Sequence, residues 1–429
     1  MPALPLSHEL RDTLHNEVHA RPYEPVAAPE EISYFALTGD AGTRDRERSH
    51  LLELCSLHGI APPRESVNHF RADFGAFRLT WERHSEFSGY TFFRPVEVST
   101  PFSASALDVV PADWLSALPG KLMVRAHAWV APAATVSADL RSIAGYFTGH
   151  FLMGGGIAGG AGHVYTDFRL HADGVIRFLV VNNQMGEHQA GRLVQRLFEI
   201  EIYRMMALLA FPLAQALGNR ISITEGELAR LTDAISGSQR QGEPALLDEL
   251  TRLAAEVESS VTAGSFRFSA ARAYYTLVTQ RIDELREVRE PGLQTIGEFM
   301  SRRLAPAMST VESMASRQEA LSRRVARASD LLRTRVDIAL QQQNQQLLAS
   351  VDRRQRLQLR LQMTLEGFSI AVITYYVVGL VIYAAKAVKA AGVEIDSEIA
   401  AGISIPVVAV LVAIGIHRIR RIVSRGEKP

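Results

Sequence analysis

Residues Gly367–Ala385 read GFSIAVITYYVVGLVIYAA, nineteen positions without a charge, and the reading of this stretch decides the architecture. As a helix rising 1.5 Å per residue, it just reaches across a hydrocarbon core of about 30 Å. It lacks the polar face that a helix in a globular core normally keeps. Ile399–Ile416 (IAAGISIPVVAVLVAIGI) is a second run of this kind. Its Ala409 and Ala413 form a small-xxx-small step suited to close helix packing. Pro406 interrupts it, which a neighbouring helix can compensate. The two runs predict a two-helix transmembrane hairpin at residues 364–429.

Flanking charge sets the expected orientation. Arg353, Arg354, Arg356 and Arg360 precede the first run, and Arg418, Arg420, Arg421, Arg425 and Lys428 follow the second. The connector Lys386–Glu398 mixes two lysines with three acids. By the positive-inside rule both termini are cytosolic. The stretch MPALPLSHELRDTLHNEVHARPYEP has charges and prolines throughout and no apolar core, so no signal peptide is expected there.

Working outward, residues 293–363 hold Pro306 as their single proline and no glycine after Gly297. Val311, Met314, Leu321, Val325, Ala328 and Leu332 fall on one helical seam, which drifts to Val336, Leu340, Leu347 and Val351. The pattern fits a stalk helix entering the first span. It equally fits one helix of an ordinary bundle. Residues 191–292 read as helical. Gly191–Leu217 forms one apolar helix, Thr224 and Glu227 form a capping box for the next, and Pro244 opens a third. Gly264 is expected to interrupt that third helix before it resumes through Arg289, and Pro291-Gly292 is a breaker.

Residues 1–190 read as a mixed α/β domain. A short helix is expected from Ser7 to Val18, and strands at Ile32–Thr38, Ala76–Arg83, Tyr90–Pro95 and Leu122–Val130. Val164–Leu170 and Val175–Val181 form a hairpin turned by Ala172-Asp173-Gly174. The fold class is therefore α+β: an N-terminal mixed domain, a helical region with a long stalk, and a C-terminal membrane hairpin.

Composition limits the chemistry. Forty-six basic and 46 acidic residues balance, leaving no global field for nucleic acid. Cys55 is the sole cysteine, which excludes an internal disulfide and a cysteine-based zinc site. Gly154-Gly155-Gly156-Ile157-Ala158-Gly159 spells G-x-G-x-x-G, but an expected helix (Ala138–Gly149) precedes it and a strand follows. That is the reverse of a dinucleotide fold, so it reads as a flexible connector. His15 and His19 share a helix face without an identifiable third ligand. Glu82 and His84 share a strand face, where acid–base work is conceivable but a solvated sheet face is far commoner. No catalytic constellation stands out, and no cofactor is indicated.

The first span carries the sharper candidates. Glu366, Ser369, Tyr376 and Tyr383 recur along one stripe, which suits a water-filled path or a partner helix. Interfacial anchoring of the tyrosines is the plainer reading. Glu394, Asp396 and Glu398 in the outer connector would concentrate cations there.

LHNEVHARP (Leu14–Pro22), the Glu31–Thr38 strand and YYVVGLVIYAAKA (Tyr375–Ala387) together resemble a bacterial family of predicted membrane-anchored proteins of unknown function. The resemblance implies a protein of the bacterial inner membrane and supplies no reaction. The order of elements also resembles the CorA-type magnesium transporters, which would imply a homo-oligomer and a divalent cation. The Gly-Met-Asn signature of that family is absent, and Tyr383-Ala384-Ala385-Lys386 stands in its place. The leading reading is an anchored protein that binds or organises a partner, with the lipid bilayer and a cytosolic protein as its expected partners. The CorA-like channel or transporter is the alternative.

Overall fold

A computed structural model describes residues 7–11, 14–15, 23–64, 67–97, 100–237, 243–390, 392 and 397–426. The chain divides into two compact units, residues 1–237 with 245–329, and residues 238–244 with 330–429.

The first unit is organised by β1 (Glu30–Thr38), whose residues are buried from Glu30 to Leu37. A strand buried on both faces must be covered on both. The faces are covered by α1 (Ala41–His58) on one side and α4 (Glu187–Leu208) on the other. Between them in the chain come β2 (His69–Asp73), β3 (Arg78–Arg83), β4 (Phe87–Pro95), α2 (Ala112–Ser116), β5 (Lys121–Pro132), α3 (Leu140–Gly145), β6 (Met153–Ile157), β7 (Gly162–Thr166) and β8 (Ile176–Asn182). The eight strands form one sheet in the order β2-β3-β4-β1-β5-β8-β7-β6. The β5–β8 pair is parallel, and every other neighbouring pair is antiparallel.

Odd-numbered β1 side chains face α1. Phe35 and Leu37 pack there with Leu51, Leu54, Trp81, Tyr90, Phe92 and Trp114. A second cluster on the same face joins Trp129, Leu179 and Tyr165 to Ile143 and Phe147 around α3. Even-numbered residues meet α4, where Tyr34 stacks on Phe198 at 4.9 Å. Asp40 caps α1 by accepting from the Thr43 amide at 2.9 Å.

Several expectations are corrected here. Gly154, Gly155 and Gly156 are no flexible connector; they are buried residues of β6. The segment after α6 (Glu243–Leu285) closes this sheet edge, with the Gly154 amide donating to Gln294 O at 2.8 Å and the Val288 amide to Gly156 O at 2.7 Å. Side chains at these glycines would block that backbone approach, so the motif is a packing device. The helix expected at Ala138–Gly149 is the shorter α3. The expected hairpin forms, but its first strand begins and ends earlier than its apolar pattern implied, at Gly162–Thr166, leaving residues 167–175 as a loop. Thr224 is no cap: it lies inside α5 (Ala210–Gly237), where its hydroxyl donates to Arg220 O at 2.9 Å. The apolar run Gly191–Leu217 is divided between α4 and α5. Gly264 does not interrupt α6; there a Cβ would stand 3.0 Å from the Phe268 ring, so the glycine leaves room for an aromatic. That helix ends at Leu285, short of Arg289, and Gly292 follows with φ +87°. The N-terminal helix falls largely outside the described residues.

Helix α7 (Ile296–Ala390) is 95 residues long. Within the first unit its Val311, Ala315, Leu321 and Val325 are buried. Arg317 reaches Glu225 of α5 at 2.6 Å, and Gln318 reaches Ser260 of α6 at 3.0 Å. This part is one member of a helical bundle. In the second unit α7 continues with Leu347, Leu357, Leu361 and Leu365 exposed, and α8 (Ser397–Gly426) follows.

Candidate functional site

The stripe read from the sequence lies in the second unit. Ser369, Tyr376 and Tyr383 are exposed on α7, about 10 Å apart in successive steps of seven residues. The Ser369 hydroxyl donates to Leu365 O at 2.9 Å, so the helix satisfies it internally. Glu366 is on the same helix, but its side chain lies outside what the structure describes. Of the connector acids, Glu394 and Asp396 fall outside the described residues. Glu398 is exposed in the first turn of α8, where negative charge complements the helix dipole. An 18-residue window of α7 has mean hydropathy 2.0, with 6% of it buried. Among the described residues α7 is the one helix long and apolar enough to cross a membrane. The apolar part described in α8, Gly402–Arg418, is shorter.

The first unit contains three polar arrangements, of which pattern reading gave only the Glu82 and His84 pair. The first surrounds a cavity of about 40 Å³ between α4 and the sheet, lined by Tyr34, Glu82, His84, Gln195, Glu199 and Tyr203 among others. Glu82 and His84, paired in the sequence reading, do meet there, with Oε2 and Nε2 4.0 Å apart. Burial raises the Tyr34 and Tyr203 hydroxyls above their ordinary pKa, so both stay protonated. At its edge Arg78 joins Glu24 at 2.6 Å and also pairs with Glu30, both carboxylates being almost fully buried.

The second lies on the opposite face. Ser33 Oγ is 3.1 Å from His127 Nε2 and 3.3 Å from Ser105 Oγ. Both Glu31 carboxyl oxygens are buried nearby without a hydrogen-bond partner, and burial pushes that carboxyl above its ordinary range. His127 is pushed down to about 4, first by burial and then by Arg125 and Arg177. A depressed imidazole stabilises the fold above its unfolded value of 6.5, and that stability is lost as pH falls through 4. The span corresponds to about 3 kcal/mol. The unfolding midpoint of the full chain, followed by circular dichroism from pH 7 to 4, should therefore fall steeply. His127→Gln should flatten that limb, and an unchanged acid profile in the variant would refute the assignment.

The third joins loops around β7. Asp167 Oδ2 lies 2.8 Å from His150 Nδ1 and 3.2 Å from His171 Nε2. Its Oδ1 accepts from the Arg169 amide at 3.1 Å. Asp167 and His171 are buried, and His150 is 35% exposed at its side chain. These three ligand atoms lie within 4.8 Å of one another. The sequence hides the group because His150 stands 17 positions before Asp167 on a different loop; Asp167 and His171 share one loop, and only their four-residue spacing was available as a signal.

These features define a class: an α+β unit with both sheet faces covered, and a helix that continues from it into a segment long enough and apolar enough to cross a bilayer. Residues 6–423 match the family described as protein of unknown function (DUF3422), and the chain belongs to that family. No curated protein and no solved structure matches the chain.

Proposed function

We propose that this is a membrane-anchored protein of the bacterial inner membrane, whose first unit binds or organises a partner at the cytosolic surface. On this reading the apolar part of α7 and that of α8 form a hairpin, with both termini cytosolic. The observation that carries it is the exposure of the apolar window in α7. Phe368, Val372, Leu380 and their neighbours face outward, whereas the core helix of a water-soluble protein would bury them. Each such side chain left in water forgoes about 1.5–3 kcal/mol, which lipid would return.

Carbonate-washed membranes provide the test. The full chain should stay in the pellet until detergent is added, and a chain lacking residues 364–429 should move to the supernatant. Recovery of the intact chain in the wash would overturn the reading. Cys55 is buried, so a cysteine introduced at Gly392 gives a clean topology label. It should react with an impermeant maleimide from the periplasmic side.

A second reading is an oligomeric cation channel of CorA-like plan. It is favoured by the exposed stripe of Ser369, Tyr376 and Tyr383, and by Leu347, Leu361 and Leu365, exposed on the helix before it. A single hairpin cannot enclose water, so a strict monomer by mass in detergent would sink this reading and leave the anchor standing.

A further inference from the structure

We infer that His150, Asp167 and His171 form a binding site for one divalent transition-metal ion, zinc being the best match. The carrying observation is His171. Its side chain is 2% exposed, yet Nε2 has no hydrogen-bond partner, although Asp167 Oδ2 lies 3.2 Å away. The distance is right and the alignment is not, so the contact does not satisfy the buried nitrogen. A buried polar atom left this way is costly. A cation between the ring and the carboxylate removes the cost, because the Nε2 lone pair then has a partner.

The donor set agrees. Two imidazoles and one carboxylate are the ligands of three-residue zinc and iron(II) sites, which keep a position open for water or a small anion. Bonds of about 2.0 Å in a tetrahedron place neighbouring ligand atoms about 3.3 Å apart. The Asp167–His171 distance of 3.2 Å already fits, and His150 at 2.8 Å from the same oxygen is close to it. His150 is the exposed member, so it can shift to complete the shell.

The supporting contacts are those that a metal site needs. The Arg169 amide holds the second oxygen of Asp167, leaving Oδ2 aimed at the two rings. His171 is fixed by its own backbone, its amide donating to Val175 O at 3.1 Å and its carbonyl accepting from the Gly174 amide at 2.8 Å. Both loops contain a non-glycine residue in the left-handed region, Phe168 at φ +50° beside Asp167 and Thr148 at φ +55° near His150. Phe168 stacks on Phe299 at 5.2 Å, which anchors the loop that carries Asp167. Such backbone persists where the surroundings impose it, and it is concentrated at ligand sites.

The experiment uses the full chain in detergent, without a polyhistidine tag, stripped by chelator and titrated with Co²⁺ and then Zn²⁺. One Co²⁺ per chain should bind with visible d–d bands of a low-coordinate nitrogen–oxygen site, and Zn²⁺ should displace it. Asp167→Asn and His171→Gln should each weaken binding about 100-fold, and Zn²⁺ should no longer raise their unfolding midpoint. Should either variant fail to fold, His150→Ala decides, since its side chain is partly exposed and its loss should still weaken binding at least tenfold. A wild-type chain that binds neither ion at micromolar concentration overturns the proposal. So does binding that survives unchanged in the variants, which would put the metal on other residues. Neither result bears on membrane anchoring.

Discussion

Replacing Gly154 with alanine is expected to destabilise the first unit by about 4 kcal/mol and to lower its unfolding midpoint by about 10 °C. A Cβ at this position would stand 1.9 Å from Val164 O and 2.8 Å from its carbonyl carbon. Both atoms are backbone of β7, the strand on which β6 is paired, so neither can yield without opening the ladder. The residue also sits at φ +137°, which side chains rarely tolerate. Two controls separate these causes. Gly159 has φ +71° and open space around its missing Cβ, so Gly159→Ala carries the backbone penalty alone, about 1 kcal/mol. Gly145 has neither restriction, and Gly145→Ala should leave the midpoint where it is. If Gly154→Ala unfolded alongside Gly145→Ala, the close β6–β7 pairing would be wrong.

The same residues show what a sequence can and cannot announce. Gly154-Gly155-Gly156 carries no side-chain pattern, so its strand was invisible; strand formation there is dictated by the backbone of β7 and of residues 286–294, far away in the chain. β1, β3, β4 and β5 were legible because Val, Phe, Tyr and Trp recur in short runs bounded by turn residues. α1 was not, since its sequence AGTRDRERSHLLELCSLH presents few apolar positions, and Leu51, Leu54 and Cys55 suffice to dock it. Thr224 and Gly264 misled for one reason: local signals for a helix end were overridden by packing that holds α5 and α6 straight through them. Charge-free runs of about twenty residues need no such context, so the apolar part of α7 stood out at once. The polar groups did not. Ser33 and His127 are 94 positions apart, and His150 and Asp167 are 17 apart. Only the pairing of β1 with β5, and the return of the chain through β7, brings them together.

Placement of these groups also bears on function. The His150–Asp167–His171 group and the Ser33–His127 pair lie on the sheet face that carries α3, linked by the rings of Phe102 and Phe147. Phe102 is 6.4 Å from the His127 ring, and Phe147 is 6.4 Å from the His171 ring. A stable scaffold has little use for so many buried polar side chains on one face, and an orphaned carboxyl at Glu31 is a net cost to folding. Such a cost is tolerated where a site gains from it.

Arg78→Met should produce the second large loss, and its pH dependence identifies the cause. Arg78 Nη1 donates to Glu24 at 2.6 Å and to Pro25 O at 3.1 Å, Nη2 donates to Glu30, and the guanidinium lies over the Phe93 ring. Methionine keeps the apolar stem but leaves the Glu30 carboxylate, 1% exposed, without its guanidinium, while Glu24, 3% exposed, keeps Arg71 as its remaining cation. Removing one partner of a buried ion pair costs about 3–5 kcal/mol. Burial already holds the Glu30 carboxyl above its ordinary value of 4.5, with Arg78 the largest opposing influence. An acid with a raised folded pKa binds its proton more readily when folded, so stability declines as pH rises from 4.5 through the folded value. Without Arg78 that folded value climbs further. The deficit of Arg78→Met should therefore be smallest near pH 4.5 and should grow toward neutral pH. Adding Glu30→Gln should restore much of the loss at pH 7, because the amide carries no charge to bury. Denaturant unfolding of the two variants at pH 5 and 7 provides the comparison. A deficit equal at both pH values, or one that Glu30→Gln leaves untouched, would mean that Arg78 acts only by filling space beneath Phe93.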